Sequence, residues 1–169
     1  MATLWLIGMM GAGKSTVGAL AAATLGLPLE DIDHVVEDEA GDSIERIFDS
    51  EGEPGFRRRE SRAVAAAAGS LAVVACGGGV ILDAGNTERM RASGLVVWLD
   101  APVGVLAERL GGADGRPLLA GSEIAGRLSE IAAVRDSAYG AAAHQRVDTA
   151  GRSPEEVAEE VVRLWLSSQ

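Results

Sequence analysis

Between Gly8 and Ser15 the chain reads GMMGAGKS, which satisfies G-x-x-x-x-G-K-[ST] at every fixed position. A short apolar run, Thr3 to Ile7, precedes it, and Lys14 to Leu25 follows with helical spacing. A strand that turns through glycines straight into a helix commits the start of the chain to a β–loop–α unit. Gly8, Gly11 and Gly13 let backbone N–H groups turn inward toward phosphate oxygens, and the helix start adds its positive end. Gly11, Ala12, Gly13, Lys14, Ser15 and Thr16 form the cradle, with Lys14 reaching the terminal phosphates and the Ser15 hydroxyl ligating magnesium. The motif reads as a nucleoside triphosphate site, with ATP as the expected ligand.

Charge sharpens this reading. The 169 residues carry 25 acidic and 15 basic side chains, a net charge of -10. Fourteen of the basic residues are arginine; Lys14 is the only lysine and stands where the motif requires one. An acidic chain of this kind is expected to bind neither nucleic acid nor an anionic membrane surface, since both need a positive field. Any anion it handles must be met by a few placed cations. Cys76 is the only cysteine, so an internal disulfide is excluded and a reducing compartment is the default. No apolar run reaches spanning length. The apolar N-terminal run lacks a basic leader and passes into GKST, which predicts a buried first strand and a cytoplasmic protein.

The length suits one domain over residues 1–169, and the apolar fraction of 47% excludes disorder and disulfide-scaffold classes. Leu71 to Ala75 and Leu95 to Leu99 are unbroken apolar runs, as expected of strands buried on both faces of a parallel sheet. Weaker strands are predicted at Leu29 to Ile32 and Gln145 to Asp148. Amphipathic stretches at Ser43 to Ser50, Phe56 to Ala68, Pro102 to Leu110, Ile124 to Ala138 and Pro154 to Leu166 predict helices between them. The alternation predicts a three-layer α/β fold with a parallel sheet. The glycine-rich interval 111–121, GGADGRPLLAG, reads as a mobile loop, either a surface connection or, as its two glycines, Arg116 and apolar LL favour, a lid over a site.

The acceptor side is written in three places. Asp31 and Asp33 flank Ile32 at the end of the second predicted strand, where alternate residues face the same way. One could hold magnesium or its water and the other take a proton from a hydroxyl; a turn or helix cap before His34 to Glu39 accounts for them equally well. In GEPGFRRRESR, Gly52 to Arg62, an arginine run on a helix is ordinarily a solvated face, but Phe56 and Glu60 could anchor Arg57 so that its head group faces a carboxylate ligand. Cys76-Gly77-Gly78-Gly79 closes the third strand, where open α/β sheets bind ligands, and three glycines exceed the needs of a simple turn.

Taken together the chain resembles the shikimate kinase family. The matching pieces are GMMGAGKST, LGLPLEDIDHVVE, GDSIERIFDSEGEPGFRRRE, CGGGV, GRPLLAG, the Arg135 to Tyr139 segment and RVDT at Arg146 to Thr149. The resemblance implies transfer of the γ-phosphoryl group of ATP to the 3-hydroxyl of shikimate, in aromatic amino-acid biosynthesis. It implies a fold like that of nucleoside monophosphate kinases, with five parallel strands in order 2-3-1-4-5. By position, Asp33 looks like the residue that binds the shikimate hydroxyls and serves as base, in a substrate segment spanning about 31–62. Arg57 and Arg135 look like the carboxylate clamp, Gly78 and Gly79 like backbone contacts, and Arg116 like the lid arginine on the transferring phosphate. Ser15 and Asp31 resemble the Mg2+ residues, while Arg109 and Arg152 match positions flanking the adenine. The family also suggests a monomer.

Departures are few. Ser137 stands where the family usually has proline, and Arg59 adds a cation expected to face solvent. Met10 should point away from phosphate. A gluconate-type kinase is disfavoured by the acceptor residues, and a silent nucleotide-gated module by the presence of Lys14, Asp33 and Arg116. His34 and His144 lack partners at metal-ligand spacing. Cys76 and the three tryptophans read as core, and the acidic face of the last helix has no evident function.

Overall fold

The computed structural model describes residues 3–113 and 119–169. Five strands, β1 (Thr3–Ile7), β2 (Leu29–Asp31), β3 (Val73–Ala75), β4 (Gly94–Asp100) and β5 (Gln145–Asp148), form one parallel sheet in the order β2-β3-β1-β4-β5. This is the predicted order. Helices α1 (Lys14–Leu25), α2 (Ile32–Ala40), α3 (Ile44–Ala67), α4 (Ala84–Ser93), α5 (Val103–Ala113), α6 (Leu119–Ala142) and α7 (Pro154–Ser167) flank it. Every residue of β1 is buried, and all of β4 but its last, which is why neither strand shows polar alternation.

Several elements depart from the expected boundaries: β3 starts only at Val73 and leaves Leu71 exposed, and α6 spans Leu119–Ala142. At Asp31 the chain passes directly from β2 into α2, because Asp31 Oδ1 accepts from the Asp33 amide and caps the helix. Ile32 and Val36, one turn apart, bury the apolar side of this short helix. Helix α4 was not expected. It buries only Asn86 and Met90, too little for a periodic signal, and starts on an Asp83 cap to the Asn86 amide.

The helices expected over 43–50 and 56–68 are two arms of α3, joined at Gly52, whose φ of 69 and ψ of 179 break the helical geometry. Pro54 suits the start of the second arm, where its missing N–H costs nothing. Phe48 and Phe56 stack across this break with ring centroids 4.9 Å apart. Arg59 also reaches back across it, 2.7 Å from Glu51, so it is a half-buried ion-pair partner rather than the solvent-facing cation expected.

The interval 111–121 is helical at both edges, with α5 running to Ala113 and α6 starting at Leu119. Arg116 and the rest of 114–118 lie outside the described residues. Ser137 is accommodated on the exposed side of a continuous α6. Trp5, Trp98, Trp165 and Cys76 are all buried, as read from sequence, and Met10 is exposed. No described helix is long and apolar enough to cross a membrane.

Candidate active site

The carboxyl ends of the parallel strands converge on one edge of the sheet, where open α/β folds place ligands. From β1 the chain enters the glycine loop, where Gly8 adopts φ 147 and passes so close to the Leu99 carbonyl that a side chain would clash with it. Lys14 is held at the head of α1 by the carbonyls of Gly8 (2.8 Å) and Met9 (2.9 Å). Burial lowers its pKa to about 8, although Asp33 and Asp31 oppose the shift. Ser15 Oγ donates to Asp31 Oδ2 at 3.0 Å. The sequence thus left Asp31 between a metal role and a cap, and its two oxygens face both: Oδ1 caps α2 while Oδ2 meets Ser15. Two hard oxygens beside a phosphate cradle fit Mg2+, which takes one or two protein oxygens and completes its shell with phosphate and water.

Beside the cradle lies a second group of residues, built on the Cys76–Gly79 turn. Measured from the point that a Cβ on Gly77 would occupy, Asp33 Oδ1 is 3.0 Å away and Glu60 Oε1 3.2 Å away. Both oxygens are buried without a hydrogen-bond partner among the described residues. Burial, and then the nearby Asp31 carboxylate, raises the pKa of Asp33. Glu60 is buried too, and burial raises its pKa although Arg57 Nη1 donates to its other oxygen at 2.8 Å. A side chain on Gly79 would fall within the Arg57 guanidinium, and one on Gly78 would meet Arg135 Nη1 at 3.4 Å. Asp33, Arg57, Gly78, Gly79 and Arg135 are therefore brought together from four parts of the chain.

On the other side of the glycine loop, Gly11, Ala12, Gly13, Thr16, Arg109, Thr149, Arg152 and Val157 line a cavity of about 310 Å³. Arg109 is fixed here by three bonds, to the Gly11 carbonyl (3.2 Å), Thr149 Oγ1 (3.0 Å) and the Thr149 carbonyl (2.8 Å). Arg152 bonds the Asp148 and Glu156 carbonyls and pairs with Glu160 at 2.6 Å. The acidic face of α7 therefore has a function after all: Glu160 holds a cavity arginine, and Glu156 closes the capping box with Ser153.

Three contributors were not singled out from sequence. Thr149 is buried and anchors Arg109, and Val157 lines the same cavity. Tyr139 is buried with its hydroxyl donating to the Gly78 carbonyl. The prior signals for Tyr139 were its place at the end of the matching Arg135 to Tyr139 segment and its spacing four residues after Arg135, on one helix face.

The family model described as shikimate kinase matches residues 10–165. The chain belongs to the shikimate kinase family. It is 47% identical over 160 residues to a shikimate kinase of Symbiobacterium thermophilum, covering 93% of this chain and 92% of that one. Identity to the shikimate kinase of Geobacter sulfurreducens is 43%, covering 97% and 91%. Among solved structures, shikimate kinase from Acinetobacter baumannii in complex with shikimate superposes with a TM-score of 0.89 at 36% identity, covering 100% of this chain and 95% of that chain. A gluconokinase from Sinorhizobium meliloti shares only the fold, with a TM-score of 0.57 at 18% identity and coverage of 99% and 95%. The family's activity is the ATP-dependent phosphorylation of shikimate, and the chain is a kinase of that class.

Proposed function

We propose that this chain, acting as a single cytoplasmic domain over residues 1–169 and as a monomer, transfers the γ-phosphoryl group of ATP to the shikimate 3-hydroxyl. One observation carries the reading: unpartnered Asp33 Oδ1 and the Arg57 and Arg135 guanidinium groups converge on glycines beside the phosphate cradle. Shikimate is a small monoanionic triol. Two arginines grip its carboxylate, fixing the ring so that one hydroxyl faces the phosphorus. Gly78 and Gly79 bring bare backbone against it.

Asp33 accepts the hydroxyl proton as the oxygen attacks. Its raised pKa suits that task, since a base is most effective when its pKa approaches the working pH. Lys14 meets the charge developing on the terminal phosphate. Arg116, within the matching RPLL segment of the 111–121 lid, is assigned the same task from the family pattern. Ser15 and Asp31 would hold Mg2+, which when bound neutralises phosphate charge. Arg109 and Arg152 flank the adenine in the cavity beside α7, and Gly11 to Thr16 wrap the phosphates. The segment 31–62 carries the acceptor.

Measuring ADP release with shikimate as acceptor tests the reading. Turnover should depend on shikimate and yield shikimate 3-phosphate. No rate above the background ATPase activity overturns it.

A further inference from the structure

Tyr139 has no part in the roles assigned above, yet it stands where three elements of the site meet. Its side chain is fully buried on α6 and its ring stacks on Trp98 of β4, with centroids 5.5 Å apart and planes at 21°. Its hydroxyl donates to the carbonyl of Gly78, 61 residues earlier in the chain. The point a Cβ on Gly78 would occupy lies 3.5 Å from that hydroxyl, 3.4 Å from Arg135 Nη1 and 3.5 Å from the Gly8 carbonyl. Arg135 is one turn earlier on the same helix. Burial pushes the Tyr139 hydroxyl up to about 12, so it stays protonated and a donor throughout the neutral range.

A run of three glycines has no side chains to hold its peptide planes, and its backbone freedom is the largest of any residue type. A trans peptide is rigid, with its carbonyl and the next N–H on opposite sides. Fixing the Gly78 carbonyl therefore fixes the Gly79 N–H, which must point away from Tyr139. We propose that Tyr139 is a positioning residue that pins the Gly78–Gly79 peptide plane in the orientation that contacts the acceptor, while its helix sets Arg135 beside it. The inference rests on the reading above that these glycines and Arg135 face shikimate.

Tyr139→Phe removes the hydroxyl and keeps the ring on Trp98. The shikimate KM of this variant should rise about 5- to 10-fold, as for loss of one buried hydrogen bond, with the ATP KM and kcat within about two-fold of wild type. A thermal melt run alongside should show a folded variant. Arg57→Ala serves as the reference. An unchanged shikimate KM in Tyr139→Phe, with the KM raised in Arg57→Ala, overturns the positioning role alone. Equal rises for both substrates, or a loss carried by kcat, also overturn it. An unchanged shikimate KM in Arg57→Ala overturns the substrate-side reading beneath it.

Discussion

Arg57 Nη1 lies 2.8 Å from Glu60 Oε2, and the glutamate is almost wholly buried while the arginine remains partly open. The pair thus works in one direction: an enclosed carboxylate holds an accessible guanidinium in place. Burial raises the pKa of Glu60, so its charge is retained through this partner.

Arg57→Ala should raise the shikimate KM about 100-fold, the scale of a lost charge-assisted bidentate contact, and leave the ATP KM nearly unchanged. Glu60→Gln should shift the same constant less, because Arg57 keeps its second partner, Glu53, at 3.3 Å. Steady-state kinetics with each substrate varied in turn checks both; equal effects on the two KM values would remove Arg57 from the clamp.

Asp33→Asn should lower turnover by at least about 100-fold, the lower range for general-base catalysis. It should nonetheless raise the melting temperature at neutral pH. Asp33 has a folded pKa above its unfolded value of 3.8, so the folded state binds the proton more tightly. Stability is then greatest below 3.8 and declines as pH rises through the folded pKa. The gain from Asn should be full at neutral pH and vanish below 3.8. Melts of both proteins across that range provide the test, and a gain that grows on acidification would refute it.

Lys14, with a pKa lowered to about 8, is roughly half protonated at pH 8. Phosphate charge beside it should restore the proton, so nucleotide binding at pH 8 should take up about half a proton more in wild type than in Lys14→Met. Calorimetry in buffers of different ionisation enthalpy reads this directly. The variant should also lose turnover, and identical proton uptake in both proteins would contradict the cradle role.

Thr149→Val deletes the 3.0 Å bond to Arg109 but keeps the carbonyl contact at 2.8 Å. The ATP KM should rise about 3- to 10-fold with the shikimate KM unchanged, a modest effect because two anchors remain, the Thr149 and Gly11 carbonyls. A selective rise in the shikimate KM would place Arg109 on the wrong side of the site.

Gly79→Ala should fold, since Gly79 has an ordinary φ of -96. Its methyl group would occupy the space of the Arg57 guanidinium. The shikimate KM should therefore rise toward that of Arg57→Ala, with the melting temperature little changed. Retention of wild-type shikimate kinetics would show that Arg57 can vacate this position freely.

The cradle and the Arg57–Glu60 spacing were legible in the sequence because each is local. Their partners sit within one turn or one strand end, where helical and extended periods fix which side chains share a face. Asp31 and Asp33, by contrast, read as one extended strand end, are divided between the end of β2 and the first turn of α2. The strand order, expected from the family resemblance, is the order observed. Helix α4 was not legible, since two buried residues make no pattern, and α2 hid behind an aspartate that caps the helix with one oxygen and meets Ser15 with the other.

What the sequence determined by itself was the catalytic vocabulary: one lysine, placed arginines, paired aspartates and a glycine turn in an acidic chain. Tertiary structure decided what holds those groups still. Tyr139 reaches Gly78 across 61 residues, Arg109 reaches Thr149 across 40, and Ser15 reaches Asp31 across 16. Such contacts arise where separate strands end side by side, and no local period encodes them. The same burial that encloses Asp33, Glu60 and Lys14 shifts their proton affinities, because taking a charge out of water costs free energy that only the assembled fold imposes.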